Sequence, residues 1–585
     1  MSEIAAQVRA RLEALSRGFR SQYLRYADLE AQLAAWAEAF PEVVRLTSLA
    51  KTNEGRDIWM LTVGKDPDRV RPAAWVDGNM HASELAGSSA ALSIAEDAIA
   101  LALGAESLHD VPAHLCELLR NDVLFYIVPR LCPDGAEHML TISSYVRSNP
   151  RDTTIGKTAP YWRGADIDGD GRARIMRVLD PGGQFALLPG HPDWLVPREI
   201  DDPGPYYSVY PEGYVENWDG QTIPAYHFLS DNLVDLNRNF PFQWAPEPRQ
   251  EGAGLYPLSE PESRALVEFA VHHPNIFAWL NLHTYGGCYI RPSGHKLDRK
   301  MNPEDLWVFQ QIERFATPIT GYPIVSGYEE FTYEPDTPLC GDLATFAYEQ
   351  RGAVAMVCEL WDFWKQVGFD VRRPFVGNYV KRSRADMVKI VEWDRAHNAS
   401  NLNQPYKPYD HPQLGRVEIG GYDPLVGVWN PPLNRLAEVC QNQARAFLRW
   451  AALSPRLTIG NVQVESVGDG IHKVSATVQN IGFLPTNVLA TAKTLPWNDP
   501  VRADIALGPN LTLLNEHSTQ TLGHLSGWSP DSMFSSPVFA RTTNEHTRAR
   551  VHFFVRGTGA VTLSAGCART GRVSVGAQVG EPSTS

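Results

Sequence analysis

Two apolar periodicities alternate along roughly the first 400 residues. Leu29, Leu33, Trp36 and Phe40 recur at helical spacing, with Asp28 placed to cap the helix and Pro41 just beyond its end. Short apolar runs then read as strands over residues 56–63 and 73–76, the second ending at Asp77-Gly78-Asn79. Small residues predict a helix over about 83–103. Residues 123–128, 276–282 and 353–358 are further buried-strand candidates. Uninterrupted apolar strands between helices predict an α/β fold, a mixed and mostly parallel sheet flanked by helices on both faces.

Residues 150–230 break this rhythm with Gly, Pro, Asp and aromatic residues, which reads as a long ordered insertion. Residues 398–432 are again rich in Pro and Asn, and 434–452 look helical. After 455 the chain turns to short alternating segments such as HKVSATVQNIG and ARVHFFVRG, separated by Gly, Asn and Pro. That predicts an all-β sandwich. The expected organisation is therefore an α/β unit over 1–395 with its insertion, a connector and helix over 396–454, and a β-sandwich over 455–585.

Composition narrows the classes. The 585 residues are 43% hydrophobic and 21% charged, an ordinary globular balance that argues against wholesale disorder. The net charge of −14 does not favour nucleic acid or an anionic membrane as a partner. No window approaches the ~18 apolar residues of a membrane span. Seven scattered cysteines with no CxxC suggest neither a disulfide framework nor a thiolate zinc site. The N-terminal residues carry charges throughout and lack an apolar signal core, so the expected compartment is the cytoplasm, with export of a leaderless or truncated chain as the alternative.

The chemistry gathers at strand ends. His81 and Glu84, in WVDGNMHASE, lie three apart where a helix begins, so an imidazole and a carboxylate can share one ion. His283 closes the run IFAWLNLH, and Glu359 closes AVAMVCE. Ligands in open α/β sheets bind at the carboxyl ends of strands. Three protein ligands with an open fourth position and a separate carboxylate make a catalytic zinc constellation. Asn237 and Arg238, in VDLNRNF, join an amide to a guanidinium, a pair suited to holding a carboxylate; an Arg/Asp pair stabilising the loop is the alternative reading.

These elements, with SEPE at 259–262, NLHTYGG and CELWD, occur in the order found in the M14 (carboxypeptidase A-like) zinc carboxypeptidases, and the chain resembles that family over about residues 22–395. The resemblance implies Zn²⁺ bound by His81, Glu84 and His283, the His₂Glu set that is the family's stock example. It implies Glu359 as general base on water, and Arg147, in SSYVRSNPR, as the group that polarises the scissile carbonyl. It further implies Asn237 and Arg238 on the substrate's terminal carboxylate, Tyr333 as a mobile cover, and a peptide cut one residue from its C-terminus. A zinc amidohydrolase of the same fold, acting on N-acyl amino acids or cell-wall peptides, is the alternative.

There are departures. Ser83 stands where some members carry an arginine, and Ala344 and Thr345 fall where the side-chain pocket floor lies, with no acid among them. That disfavours a strict preference for C-terminal Lys or Arg, although Asp342 is near. Outside the catalytic set, Asp166, Asp168 and Asp170 alternate before Gly171 like the first half of a calcium loop, without the closing Glu. Mutual repulsion of three carboxylates favours Ca²⁺ there.

Overall fold

A computed structural model describes residues 3–142, 145–150, 156–225, 234–333, 337–380, 382–529 and 547–580. Its centre is an eight-stranded mixed sheet. The strands are β1 (Val44–Lys51), β2 (Asp57–Val63), β3 (Ala73–Gly78), β4 (Leu124–Val128), β5 (Ile276–Thr284), β6 (Cys288–Arg291), β7 (Ile324–Ser326) and β8 (Val354–Leu360). They lie in the order β1-β2-β4-β3-β5-β8-β6-β7. The four central strands β4, β3, β5 and β8 run parallel. Every residue of β3, β4 and β5 is buried, which is why these strands read as continuous apolar runs rather than alternating ones.

Helices cover both faces. Ala86–Ala102 packs on one side together with Leu433–Ala451, and the two share a large apolar core. Pro261–His272 and Leu343–Glu349 cover the other side through Leu266, Val267, Ala270, Leu343, Phe346 and Ala347. An N-terminal helix spans Glu3–Leu15, and the helix after it begins at Tyr26, so Asp28 lies inside its first turn rather than at its cap; the carboxylate faces the positive end of the helix dipole instead. Leu29, Leu33, Trp36 and Phe40 are buried along its inner face.

The insertion builds a second layer, an antiparallel six-stranded sheet. Four of its strands, Ile175–Leu179, Phe185–Leu188, His191–Pro197 and Tyr206–Pro211, come from the insertion. The other two, Asn403–His411 and Gly415–Tyr422, come from the stretch that reads as a connector. Pro405, Pro408 and the Gly420-Gly421 pair mask the strand pattern there.

Residues after 455 form two four-stranded antiparallel sheets around a core that includes Val474, Val478, Phe553, Val555 and Leu563. Alternating burial along Val501–Leu507 and Gly559–Cys567 follows the period of two expected for strands with one wet face. Among the described residues no helix is long and apolar enough to cross a membrane.

Candidate metal centre

The turn that carries His81 and Glu84 is forced by close packing. A Cβ on Gly78 would lie 2.5 Å from the Gly87 carbonyl oxygen, and one on Gly87 would lie 2.9 Å from the Asn79 nitrogen. Only glycines let the end of β3 and the start of the next helix approach this closely. Asn79, at φ +56°, donates from Nδ2 to the His81 carbonyl at 2.7 Å. His81 and Glu84 therefore sit in a turn just before the helix, closed by Glu84 N–H to His81 C=O at 3.1 Å, rather than in its first turn.

His283 enters from the end of β5, whose register sets it opposite Glu359 on β8. His81 Nδ1 lies 2.8 Å from Glu84 Oε1. His283 Nδ1 lies 3.0 Å from Glu84 Oε2 and 3.1 Å from His81 Nδ1. All three side chains are buried. Each imidazole is anchored by its other nitrogen: His81 Nε2 to Asp235 Oδ1 at 3.0 Å, and His283 Nε2 to Asn281 Oδ1 at 2.6 Å. Both anchors are acceptors, so each Nε2 carries a proton, and the neutral form of each ring turns its Nδ1 lone pair inward. Two lone pairs and a carboxylate converging at these distances repel one another unless a cation sits between them. The donors, two imidazoles and one carboxylate, suit Zn²⁺.

The electrostatics follow from this crowding. Burial opposes ionisation of Glu84, yet His81 and His283 outweigh it and hold the carboxyl below its usual range. Burial and Arg147 disfavour charge on His81, but Glu84 and Asp235 prevail and raise it. His283 is lowered, mainly by burial. Burial and the Glu84 charge push Glu359 well above the carboxylate range, with Arg147 opposing.

Arg147 reaches the same spot: Nε donates to Asp235 Oδ2 at 3.0 Å, and Nη1 lies 3.5 Å from Glu84 Oε1. One cavity joins His81, His283 and Glu359 to Arg147, Asn237, Arg238, Tyr333 and Thr345. Asn237 Oδ1 accepts the Leu343 N–H at 2.9 Å, and Arg238 Nη1 donates to the Asn237 carbonyl at 2.7 Å, which fixes both beside a helix start. Asp342 caps that helix through the Thr345 N–H. Tyr333 is 62% exposed at the rim.

Three residues beyond those expected belong to this arrangement: Asp235, Asn281 and Asp77. Asp235 was visible two positions before Asn237. Asn281 and Asp77 had a strand signal, since polar residues interrupt otherwise apolar strands at period two from His283 and Trp75.

The acidic loop is arranged differently from a three-aspartate site. Asp166, Asp168 and, from outside the loop, Glu212 bring carboxylate oxygens within 4.8 Å of one another, whereas Asp170 pairs with Arg174. Asp166 accepts the Gly169 and Gly171 N–H groups, and Glu212 accepts those of Ile167 and Arg174. Backbone donors thus offset the repulsion from which calcium was expected.

Residues 29–170 and 227–374 match the family described as zinc carboxypeptidase, and the chain belongs to that family. Residues 456–578 match a domain of unknown function. Carboxypeptidase A4 of Mus musculus is 21% identical over 297 residues, 50% of this chain and 53% of that protein. The chain thus spans about half the length of this curated relative. Among solved structures, thrombin activatable fibrinolysis inhibitor covers 76% of this chain and 79% of its own at 15% identity, with a TM-score of 0.41. Carboxypeptidase A from Helicoverpa armigera covers 68% and 80% at 18% identity, with a TM-score of 0.37.

Proposed function

We propose that this protein is a zinc-dependent carboxypeptidase that releases the C-terminal residue of peptides. The observation that carries the reading is the convergence of the His81–Glu84–His283 donors at the edge of one cavity that His81 and His283 line together with the Glu359 carboxylate and the Arg147 and Arg238 guanidiniums. His81, Glu84 and His283 would hold Zn²⁺. When bound, zinc supplies a Lewis acid that polarises a carbonyl and makes water acidic enough to attack near neutral pH.

The chain's own groups supply the rest. Glu359 takes the proton of the attacking water and delivers it to the departing amine. Arg147, held by Asp235, stabilises the charge that develops on the carbonyl oxygen. Arg238 and Asn237 hold the terminal carboxylate, Arg by two parallel hydrogen bonds. Binding that carboxylate makes the enzyme an exopeptidase, because internal peptide bonds offer no anion at this point. Tyr333, at the rim, closes over the bound residue. Beyond Arg238 the cavity is walled by Ile290, Pro292, Phe331, Leu339, Ala344, Thr345 and Val357, so an uncharged terminal side chain suits it. Asp342 and Arg291 also border the cavity, but the Asp342 carboxylate caps its own helix and the Arg291 guanidinium is paired with Asp298. The acidic loop of the insertion has no part in this reading.

A peptide library digested with the zinc-loaded protein and read by mass spectrometry tests this. Loss of single C-terminal residues, abolished by chelator, is expected. N-acyl amino acids and cell-wall peptides form the second arm; cleavage confined to them would replace the peptidase reading with an amidohydrolase one.

A further inference from the structure

The second anchor of the site runs deeper than the first. His81 is held directly by a carboxylate, Asp235. His283 is held by a carboxamide, and a carboxylate stands one residue behind it. Asn281 Nδ2 donates to Asp77 Oδ1 at 2.5 Å, and Asp77 Oδ2 accepts the indole N–H groups of Trp75 and Trp279, each at 2.8 Å. None of these four side chains reaches solvent. The register explains the assembly. Trp279 lies opposite Trp75 and Asn281 opposite Asp77 on the paired parallel strands β5 and β3, and Trp279, Asn281 and His283 follow one another at period two on one face.

The polarity of this chain of hydrogen bonds has one solution. Indole N–H groups only donate, so Asp77 must accept on that side. An ionised carboxylate only accepts, so the Asn281 atom facing it is the NH₂, and Oδ1 faces His283. His283 must then carry its proton on Nε2 and keep the Nδ1 lone pair for the metal. We propose that Asp77 and Asn281 are positioning residues that fix the tautomer of His283 and thereby set the affinity of the His81–Glu84–His283 site for zinc. This rests on the zinc reading above.

The proposal makes a near-isosteric substitution costly. In Asp77→Asn the two indoles hold the remaining oxygen, and the new NH₂ meets the NH₂ of Asn281. Relief comes by turning the Asn281 amide, which presents a donor to His283 Nε2 and drives the proton to Nδ1, where it blocks the metal. Asn281→Asp instead sets two buried carboxylates face to face. The double variant D77N/N281D restores an acceptor towards His283 and a donor between the two strands.

Zinc dissociation constants from competition with a chromogenic chelator, with the visible spectrum of the cobalt-substituted proteins, test this without recourse to activity. Each single variant is expected to bind zinc about 10–100-fold more weakly, the usual effect of losing such a partner. The double variant is expected to return to within a few-fold of wild type. Wild-type affinity in a folded Asp77→Asn protein overturns the proposal, as does a double variant that accumulates both losses. If the single variants do not fold, selective ¹⁵N-histidine NMR of the zinc-loaded wild type decides. A proton on His283 Nε2 supports the proposal, and zinc on that nitrogen overturns it. A wild-type protein that binds no zinc defeats the underlying zinc reading instead.

Discussion

Arg569, in the C-terminal β-domain, donates a guanidinium N–H to the carbonyl of Ile276, the first residue of β5, at the opposite end of that strand from His283. The same group donates to the carbonyls of Arg351 and Gly352, just before β8 and its Glu359. Trp497 of the β-domain lies under both Arg351 and Arg569 and donates to the Gln350 carbonyl. The two strands that deliver His283 and Glu359 are thus bolted at their far ends by the domain of unknown function.

Arg569→Met should therefore destabilise the whole chain, not the β-domain alone. Removing a buried charged donor from several carbonyls is expected to cost about 3 kcal/mol. Denaturant unfolding followed by a probe in each part checks this. A loss confined to residues after 455, with the α/β unit unaffected, would contradict it.

Glu359→Gln should keep zinc and lose about 10²–10⁴-fold in turnover, the usual share of a general base. It should also stabilise the zinc-free protein. Burial and the Glu84 charge hold the folded Glu359 carboxyl above its unfolded value. The folded state then binds more protons than the unfolded one, so stability falls as pH rises above the unfolded value of about 4.3. The variant escapes that loss. Unfolding of both zinc-free proteins at pH 4 and pH 7 should show a gap at pH 7 only; an equal gap at both would contradict the sign.

Arg238→Met should raise KM for peptides with a free C-terminus, lowering kcat/KM by roughly 10–100-fold, as expected for a lost charge-assisted hydrogen bond. C-terminally amidated peptides should be poor substrates for both proteins. An undiminished kcat/KM in the variant would remove Arg238 from carboxylate recognition.

Calcium addition or EGTA should leave the melting temperature of the insertion unchanged, because backbone amides already serve Asp166 and Glu212. A rise of several degrees with calcium would show that the loop takes a cation.

Much of this was legible in the sequence because the parallel strands are buried on both faces, and their apolar runs end abruptly at His283 and Glu359. The gathering of His81, Glu84 and His283 was legible for the same reason, since strand ends in such sheets share one edge. The anchors Asp77 and Asn281 were harder to read. Their meaning depends on the β3–β5 register, which pairs Asp77 with Asn281 across about 200 residues of sequence and leaves no local pattern. The strands Asn403–His411 and Gly415–Tyr422 pair with each other as a hairpin and, through the second, with the insertion; their prolines and glycines hid the alternating pattern. The docking by Arg569 was invisible, since a lone arginine after a cysteine carries no pattern at all.

The most direct test is anomalous diffraction at the zinc edge from crystals of the zinc-loaded protein. One strong peak is expected about 2.0–2.1 Å from His81 Nδ1 and His283 Nδ1, with a Glu84 oxygen at similar reach. A peak coordinated by other residues, or none at this spot at full zinc loading, would contradict it.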